Sequence, residues 1–179
     1  MEQIERNIPN GDLLLIREAG IEDAAHLLDF AETVSNESDF LTFGAGELDF
    51  SKEQEEAFIK MSAQAANHLL ILGLIDRNIV AMLSFAGGHR PRTRHSGAFS
   101  MSVRKSHWGL GIGGLMVDTL IKWARETGII KKINLCVRTD NHRAILLYDR
   151  KNFIIEGNIK KELYINGKYF DLYHMGLVL

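Results

Sequence analysis

The chain has 179 residues, enough for one domain with a substantial core. A formal net charge of −2 argues against general nucleic-acid binding, and the single cysteine, Cys136, excludes an intrachain disulfide or a cysteine-based zinc cage. No apolar run is long enough to cross a membrane, and the acidic start Met1-Glu2-Gln3-Ile4-Glu5-Arg6 lacks a signal-peptide core, so one cytoplasmic domain over residues 1–179, with no membrane, nucleic-acid or metal partner, is expected.

In chain order, residues 13–17 predict a short strand and 21–34 a helix, with Ile21, Ala24, Ala25, Leu28 and Ala31 on one apolar face. An irregular stretch over 35–50, rich in Ser, Gly and acids, leads to a second helix from Ser51 to about Ala66, with Gln54 as capping-box partner. Runs 68–76 and 78–86 flank the turn Asp76-Arg77-Asn78 and predict a hairpin. A loop over 87–94 carries three arginines, and 97–103 is the next strand. The helix 111–127 stops at Gly128, followed by a strand over 132–138 and a short helix over 141–151. Strands 153–164 and 168–178 close the chain around Asn166-Gly167, a strong two-residue hairpin signal. The predicted order is therefore β-αα-βββ-α-β-α-ββ in one α/β unit, without internal repeat or linker. Cys136 falls in the apolar strand Ile133-Asn134-Leu135-Cys136-Val137, where a small buried residue is expected.

The most informative segment is His107-Trp108-Gly109-Leu110-Gly111-Ile112-Gly113-Gly114, with four glycines in six residues at the start of a helix. Glycines let a backbone approach closely, and the first turn of a helix leaves N–H groups without partners at the positive end of its dipole. Such a turn seats a phosphate or pyrophosphate; it also brings a helix tightly against a sheet. Gly109, Gly111 and Gly114 meet the dinucleotide spacing GxGxxG, but the lead-in Arg104-Lys105-Ser106-His107 is polar. The ribose-binding acid expected about 20 residues on is also missing. No Gly-Lys-Ser/Thr follows to make a nucleotide-triphosphate loop.

The run from Val103 through Trp108 to Leu115 resembles the acetyl-CoA-binding motif of the GNAT acetyltransferase superfamily. The run Asn141-His142-Arg143-Ala144-Ile145-Leu146-Leu147-Tyr148-Asp149-Arg150-Lys151-Asn152-Phe153 resembles that superfamily's second motif. The element order matches as well, so the resemblance spans nearly the whole chain and implies the GNAT fold, a mixed, mostly antiparallel central sheet flanked by helices. Tryptophan at position 108, where Gln or Arg is frequent, is similar to the branch of ribosomal-protein and spermidine N-acetyltransferases, as is the closing run from Lys161 to Asp171 with Met175.

The resemblance implies acetyl-CoA as co-substrate. Its pyrophosphate would rest on the backbone around Trp108, Gly109, Gly111, Ile112, Gly113 and Gly114. Its pantetheine arm would pair with the backbone of Met101 and Val103, and Asn141 would cap a helix and bind the same arm. Arg104 and Lys105 would add positive charge. Tyr148, seven residues after Asn141 and two turns along the same helix face, would protonate the departing thiolate. A backbone N–H near Met101 would stabilise the oxyanion. The implied reaction is direct acetyl transfer to a primary amine (a polyamine, an amino sugar or a protein or peptide N-terminus) with no covalent enzyme intermediate.

The general base is the least defined part, because residues 97–102 hold no acid; Glu37, Asp39, Glu47 and His95 are the candidates. Asp29, Glu32, Glu37, Asp39, Glu47, Asp49, Glu53, Glu55 and Glu56 stand against a single Lys52 in that stretch. Glu37, Asp39 and Glu47 are therefore expected to line the acceptor site and attract a cation, with Phe40, Phe43 and Phe50 as walls. A non-catalytic CoA-binding sensor or interaction module of the same fold is the alternative. Pairing of the C-terminal strands in a homodimer is compatible with the sequence.

Overall fold

The computed structural model describes residues 1–179. Its elements in chain order are β1 (Ile4–Asn7), β2 (Leu13–Glu18), α1 (Ala24–Glu37), α2 (Lys52–Gln64), β3 (His68–Ile75), β4 (Asn78–Gly87), β5 (Ser96–Val103), α3 (Ile112–Thr127), β6 (Lys132–Arg138), α4 (His142–Arg150), β7 (Ile154–Ile165) and β8 (Lys168–Val178). All eight strands join one sheet in the order β1-β2-β3-β4-β5-β6-β8-β7. Every neighbouring pair is antiparallel except β5 and β6, which run parallel. The mixed, mostly antiparallel sheet is thus present, with one strand more than the predicted order.

That strand is β1, which pairs from Ile4 against Ile16 to Asn7 against Leu13. Its sequence Ile4-Glu5-Arg6-Asn7 has one apolar side chain and no period, because an edge strand exposed on three sides needs only one residue facing the core. The helix predicted from Ile21 begins instead as a 3-10 turn, Ile21–Asp23, and α1 runs on to Glu37. The Asp23 carboxylate is taken up by Arg17 at 2.6 and 2.7 Å and by the Gly20 N–H at 2.8 Å, fixing where the chain turns from β2 into α1.

Local chemistry sets the other boundaries. Ser51 and Gln54 cap α2 reciprocally. Gly128, with φ of 64°, ends α3. Asp76 and Arg77, with φ of 47° and 66°, and Asn166 and Gly167, with φ of 49° and 80°, make the two tight hairpin turns.

The two faces of the sheet are covered unequally. On one face, α3 and α4 cover most of the sheet, with Met116, Val117 and Leu120 packed against Ile71, Leu83, Phe85, Ile133 and Leu135. On the other, α1 and α2 bury a smaller cluster against β3 and the start of β4, made by Leu27, Phe30, Val34 and Ile59 with Leu70, Leu72, Leu74 and Ile79. β5 contributes nothing to that second cluster, and Ala98 and Ser100 stay exposed beside it. β5 and β6 pair only from Ser96–Lys132 to Ala98–Asn134 and then diverge. At the fork, the Asn134 side-chain amide donates to Ser96 Oγ at 2.9 Å and to the Gly97 carbonyl at 3.0 Å. Beyond it, the inner edges of both strands are unpaired.

Candidate active site

The divergence of β5 and β6 opens a cleft of about 1270 Å³ that passes through the sheet. Met101, Val103, Trp108, Gly109, Gly111, Ile112, Gly113, Gly114, Asn141 and Tyr148, separate in sequence, all line this one cleft.

Backbone makes most of one half. After the Arg104 N–H donates to the Val80 carbonyl at 2.9 Å, the chain leaves the sheet through a 3-10 turn at Lys105–His107. The Trp108 indole N–H then donates back to the Val103 carbonyl at 2.7 Å and folds the loop over the strand end. Gly109 and Gly111 take φ of 86° and 80°, left-handed values that a branched side chain resists. Gly111 caps α3 with no side chain to satisfy the helix, and the bond from the Leu115 N–H to the Gly111 carbonyl at 3.2 Å opens its ladder. The N–H groups of Ile112, Gly113 and Gly114 therefore have no intrahelical partner and point out of the helix start. A Cβ on Gly113 would stand 3.3 Å from both Met101 and Leu147, so glycine there wedges the helix start between β5 and α4.

The strand edge supplies the next part. Even-numbered residues of β5 bond to β4, as the Arg104 N–H and the Ser96 carbonyl show, so Phe99, Met101 and Val103 present their backbone groups to the cleft. The Val103 carbonyl is already used by Trp108. What remains is an open edge with the geometry to pair with an extended amide-containing arm.

Cations gather at the same end, but they differ from those expected. Arg104 and Lys105 do not line the cleft, whereas Arg143, Arg150 and Lys151 do. Arg143 lies over the Trp108 ring at 5.3 Å, and Lys151 is paired with Asp118 at 2.6 Å. Their signal in the sequence was available: Arg143 and Arg150 stand seven residues apart on the same short helix as Tyr148, and Lys151 is its C-cap.

Tyr148 stands where the strands part. It is 7% exposed and packs edge-on against Phe99 at 5.7 Å and Phe153 at 6.0 Å. Burial pushes its phenol up to about 12, so the group keeps its proton throughout the neutral range and is an acid rather than a base. Asn141 caps α4, its side-chain oxygen accepting the Ala144 N–H at 3.2 Å.

The other half is walled by Phe40, Leu41, Thr42 and Phe43 from the loop after α1, and by Met82, Ser84, Ser100, Cys136 and Arg138 from the sheet. Of the three acids expected here, only Glu37 lines the cleft, and its Oε2 accepts the Lys105 N–H at 2.7 Å. Asp39 directs its backbone carbonyl to Arg138 and Glu47 turns back to accept the Gly44 N–H at 2.7 Å; neither side chain lines the cleft. Phe50 also lies outside it, and His95 sits at the far end of the sheet, its carbonyl accepting from Lys131 and Lys132.

Cys136 corrects another expectation: it is exposed on the cleft, not buried. Ile133, Leu135 and Val137 take the core face, and strand alternation sends Asn134, Cys136 and Arg138 to the other. Desolvation and nearby Glu162 push the thiol up, which disfavours the nucleophilic thiolate.

Residues 31–153 match the model of the acetyltransferase (GNAT) family. The chain is 34% identical to an acetyltransferase of the GNAT family from Streptococcus pneumoniae, with a TM-score of 0.90 over 93% of this chain and 99% of that one. It is 31% identical over 108 residues to the L-amino acid N-acetyltransferase AaaT of Escherichia coli K12, covering 60% of this chain and 67% of that protein. Over 123 residues it is 24% identical to the spermidine N(1)-acetyltransferase of Vibrio cholerae, covering 69% and 70% of the two chains. Family model, relatives and the forked sheet with its glycine-capped helix agree, and the chain belongs to the acetyltransferase (GNAT) family.

Proposed function

We propose that the chain transfers the acetyl group of acetyl-CoA to the primary amine of a small acceptor with an apolar body, of the size and kind of an α-amino acid. The observation that carries the acceptor class is the wall of the second half of the cleft. Phe40, Leu41, Phe43 and Met82 line it together with small Ser84, Ser100 and Cys136, and the one lining carboxylate, Glu37, already accepts a backbone hydrogen bond. A polycation needs several free carboxylates, which this wall lacks. The activity of the Escherichia coli relative on L-amino acids agrees with this class.

The residues divide the work as follows. The Ile112, Gly113 and Gly114 N–H groups hold the pyrophosphate, with Arg143, Arg150 and Lys151 adding positive charge. The open backbone of Met101 and Val103 aligns the pantetheine arm, and Asn141 fixes the α4 end of that groove. The Met101 N–H meets the negative charge that develops on the acetyl oxygen during direct attack by the amine. Tyr148 gives its proton to the departing sulfur. Glu37, through its remaining oxygen, takes the proton of the amine, whose ordinary pKa of about 10 requires such help at neutral pH. Cys136, kept as a thiol, forms no acyl-enzyme.

The acidic surface of α1 and α2 and the Vibrio cholerae relative favour spermidine as a second reading. Thiol release from acetyl-CoA, measured across L-amino acids, spermidine, an amino sugar and a peptide N-terminus, separates them. Release with apolar amino acids at the lowest KM is expected. Preferred turnover of spermidine replaces the amino-acid reading, and tight CoA binding without acceptor-dependent release leaves the non-catalytic module.

A further inference from the structure

Arg138, at the end of β6, is a charged side chain only 6% exposed and yet part of the cleft wall. Its Nε and Nη2 donate to the two carboxylate oxygens of Asp140 at 2.9 and 2.6 Å. Its guanidinium lies over the Phe170 ring of β8 at 3.7 Å and the Phe40 ring at 4.7 Å. Nη1 donates to the Asp39 carbonyl at 2.7 Å, across 99 residues of sequence.

This last bond is singular. Residues 39–50 carry no helix or strand, and their other hydrogen bonds are local: the Phe40 N–H to Ser38, and the Gly44–Glu47 turn. The Arg138–Asp39 bond is the one hydrogen bond that joins this loop to the opposite bank of the cleft. Burying a guanidinium is costly unless its charge and donors are matched, and here Asp140 neutralises it while both rings cover it. The cost is met at the position where the loop carrying Phe40, Leu41 and Phe43 crosses to β6.

We infer that Arg138 is a positioning residue that latches the 39–43 loop to β6 and β8 and thereby sets the width of the acceptor pocket. The inference rests on the reading that this loop walls the acceptor half. Lysine cannot replace the planar fork, because one ammonium does not serve Asp140 in two-point fashion, lie flat on two rings and reach the Asp39 carbonyl together. Phe40 is 40% exposed, so its removal loosens the latch without opening the core.

The test uses the intact enzyme and the variants R138K, F40A and R138K/F40A. Limited chymotrypsin cleavage after Leu41 or Phe43 is expected to speed up about tenfold in both single variants, while the sheet and α3 stay intact. With an accepted amine, acceptor KM rises about tenfold, kcat and the KM for acetyl-CoA stay within about twofold, and bulkier amines are penalised less than in the parent enzyme. The double variant costs no more than the worse single one, because both changes break the same latch. Unchanged cleavage of the loop in R138K overturns the latch whatever the acceptor proves to be. Faster cleavage with unchanged acceptor KM overturns its role in positioning. An amine panel without turnover counts against the acceptor reading alone, since the cleavage measurement still decides the latch.

Discussion

The two halves of the cleft are built from different materials. The half proposed to hold acetyl-CoA is mostly backbone: an open edge of β5, two left-handed glycines and the unpaired N–H groups at the start of α3, anchored in the larger core through Ile112, Met116 and Phe99. The half proposed to hold the amine is walled by side chains of β4, β5 and β6 and of a loop without regular structure, and that loop is joined to the opposite bank by one hydrogen bond from Arg138. Backbone groups recognise what every acetyl transfer from the same thioester shares, and they need glycine more than any particular side chain. Side chains on a loop can vary without disturbing that seat.

If the halves are separable, variants in each should move different constants. The largest effect is expected from Tyr148→Phe. It keeps the ring that packs on Phe99 and Phe153 and removes only the proton donor, so kcat should fall by roughly ten- to ten-thousandfold, the range for a general acid, with acetyl-CoA binding near normal. An unchanged kcat makes Tyr148 a packing residue. Next comes Gly111→Val. A β-branched residue at φ of 80° strains the helix cap, and titration should show acetyl-CoA binding weakened by about a hundredfold. The acceptor KM, extrapolated to saturating acetyl-CoA, should stay within about threefold. A comparable rise in both would mean that the halves are mechanically one.

The same division governs what the sequence disclosed. The donor half was legible because its signals are local: four glycines before an amphipathic helix, an N-cap asparagine, and a tyrosine two turns later on one face. Hairpins at Asp76-Arg77 and Asn166-Gly167 and the capping box at Ser51 were legible for the same reason. The acceptor half depends on pairings between distant segments. Arg138 meets Asp39 and Phe170 only once β6, β8 and the loop are assembled, and nothing near position 138 announces it. The acid-rich stretch was misleading because most of its carboxylates face solvent or close local turns, as Glu47 does. Cys136 was misplaced because an apolar strand does not declare which face is core. β1 was missed because an edge strand can be almost wholly polar.

Glu37 tests the boundary between the halves, since its carboxylate lines the acceptor side while bonding the Lys105 N–H at the start of the donor loop. Glu37→Gln keeps an oxygen for that N–H and removes the base. We expect acceptor kcat/KM to fall by about tenfold at pH 7 and to recover as the pH approaches the amine's own pKa. Acetyl-CoA binding should be unchanged; if it weakens in step, Glu37 acts on the loop and not on the amine.

The smallest expected effect concerns stability. Tyr148 titrates near 10 in an unfolded chain and near 12 when buried here, so the folded state holds this proton more tightly. Linkage fixes the sign: the contribution is fully present below pH 10 and is lost as the pH rises from 10 towards 12, where the unfolded chain ionises and the folded one does not. The urea midpoint of the parent protein should therefore drop across that window more steeply than that of Tyr148→Phe, which has no phenol to ionise. Catalysis supplies the complementary sign. An acid that stays protonated to about 12 puts no falling limb on the rate below that pH, so acceptor kcat/KM should climb with amine deprotonation through pH 10 while the protein remains folded. Parallel alkaline slopes in the two proteins would show that the phenol is hydrated in the folded state, and Tyr148 would then sit on the solvent side of the cleft with no privileged hold on its proton.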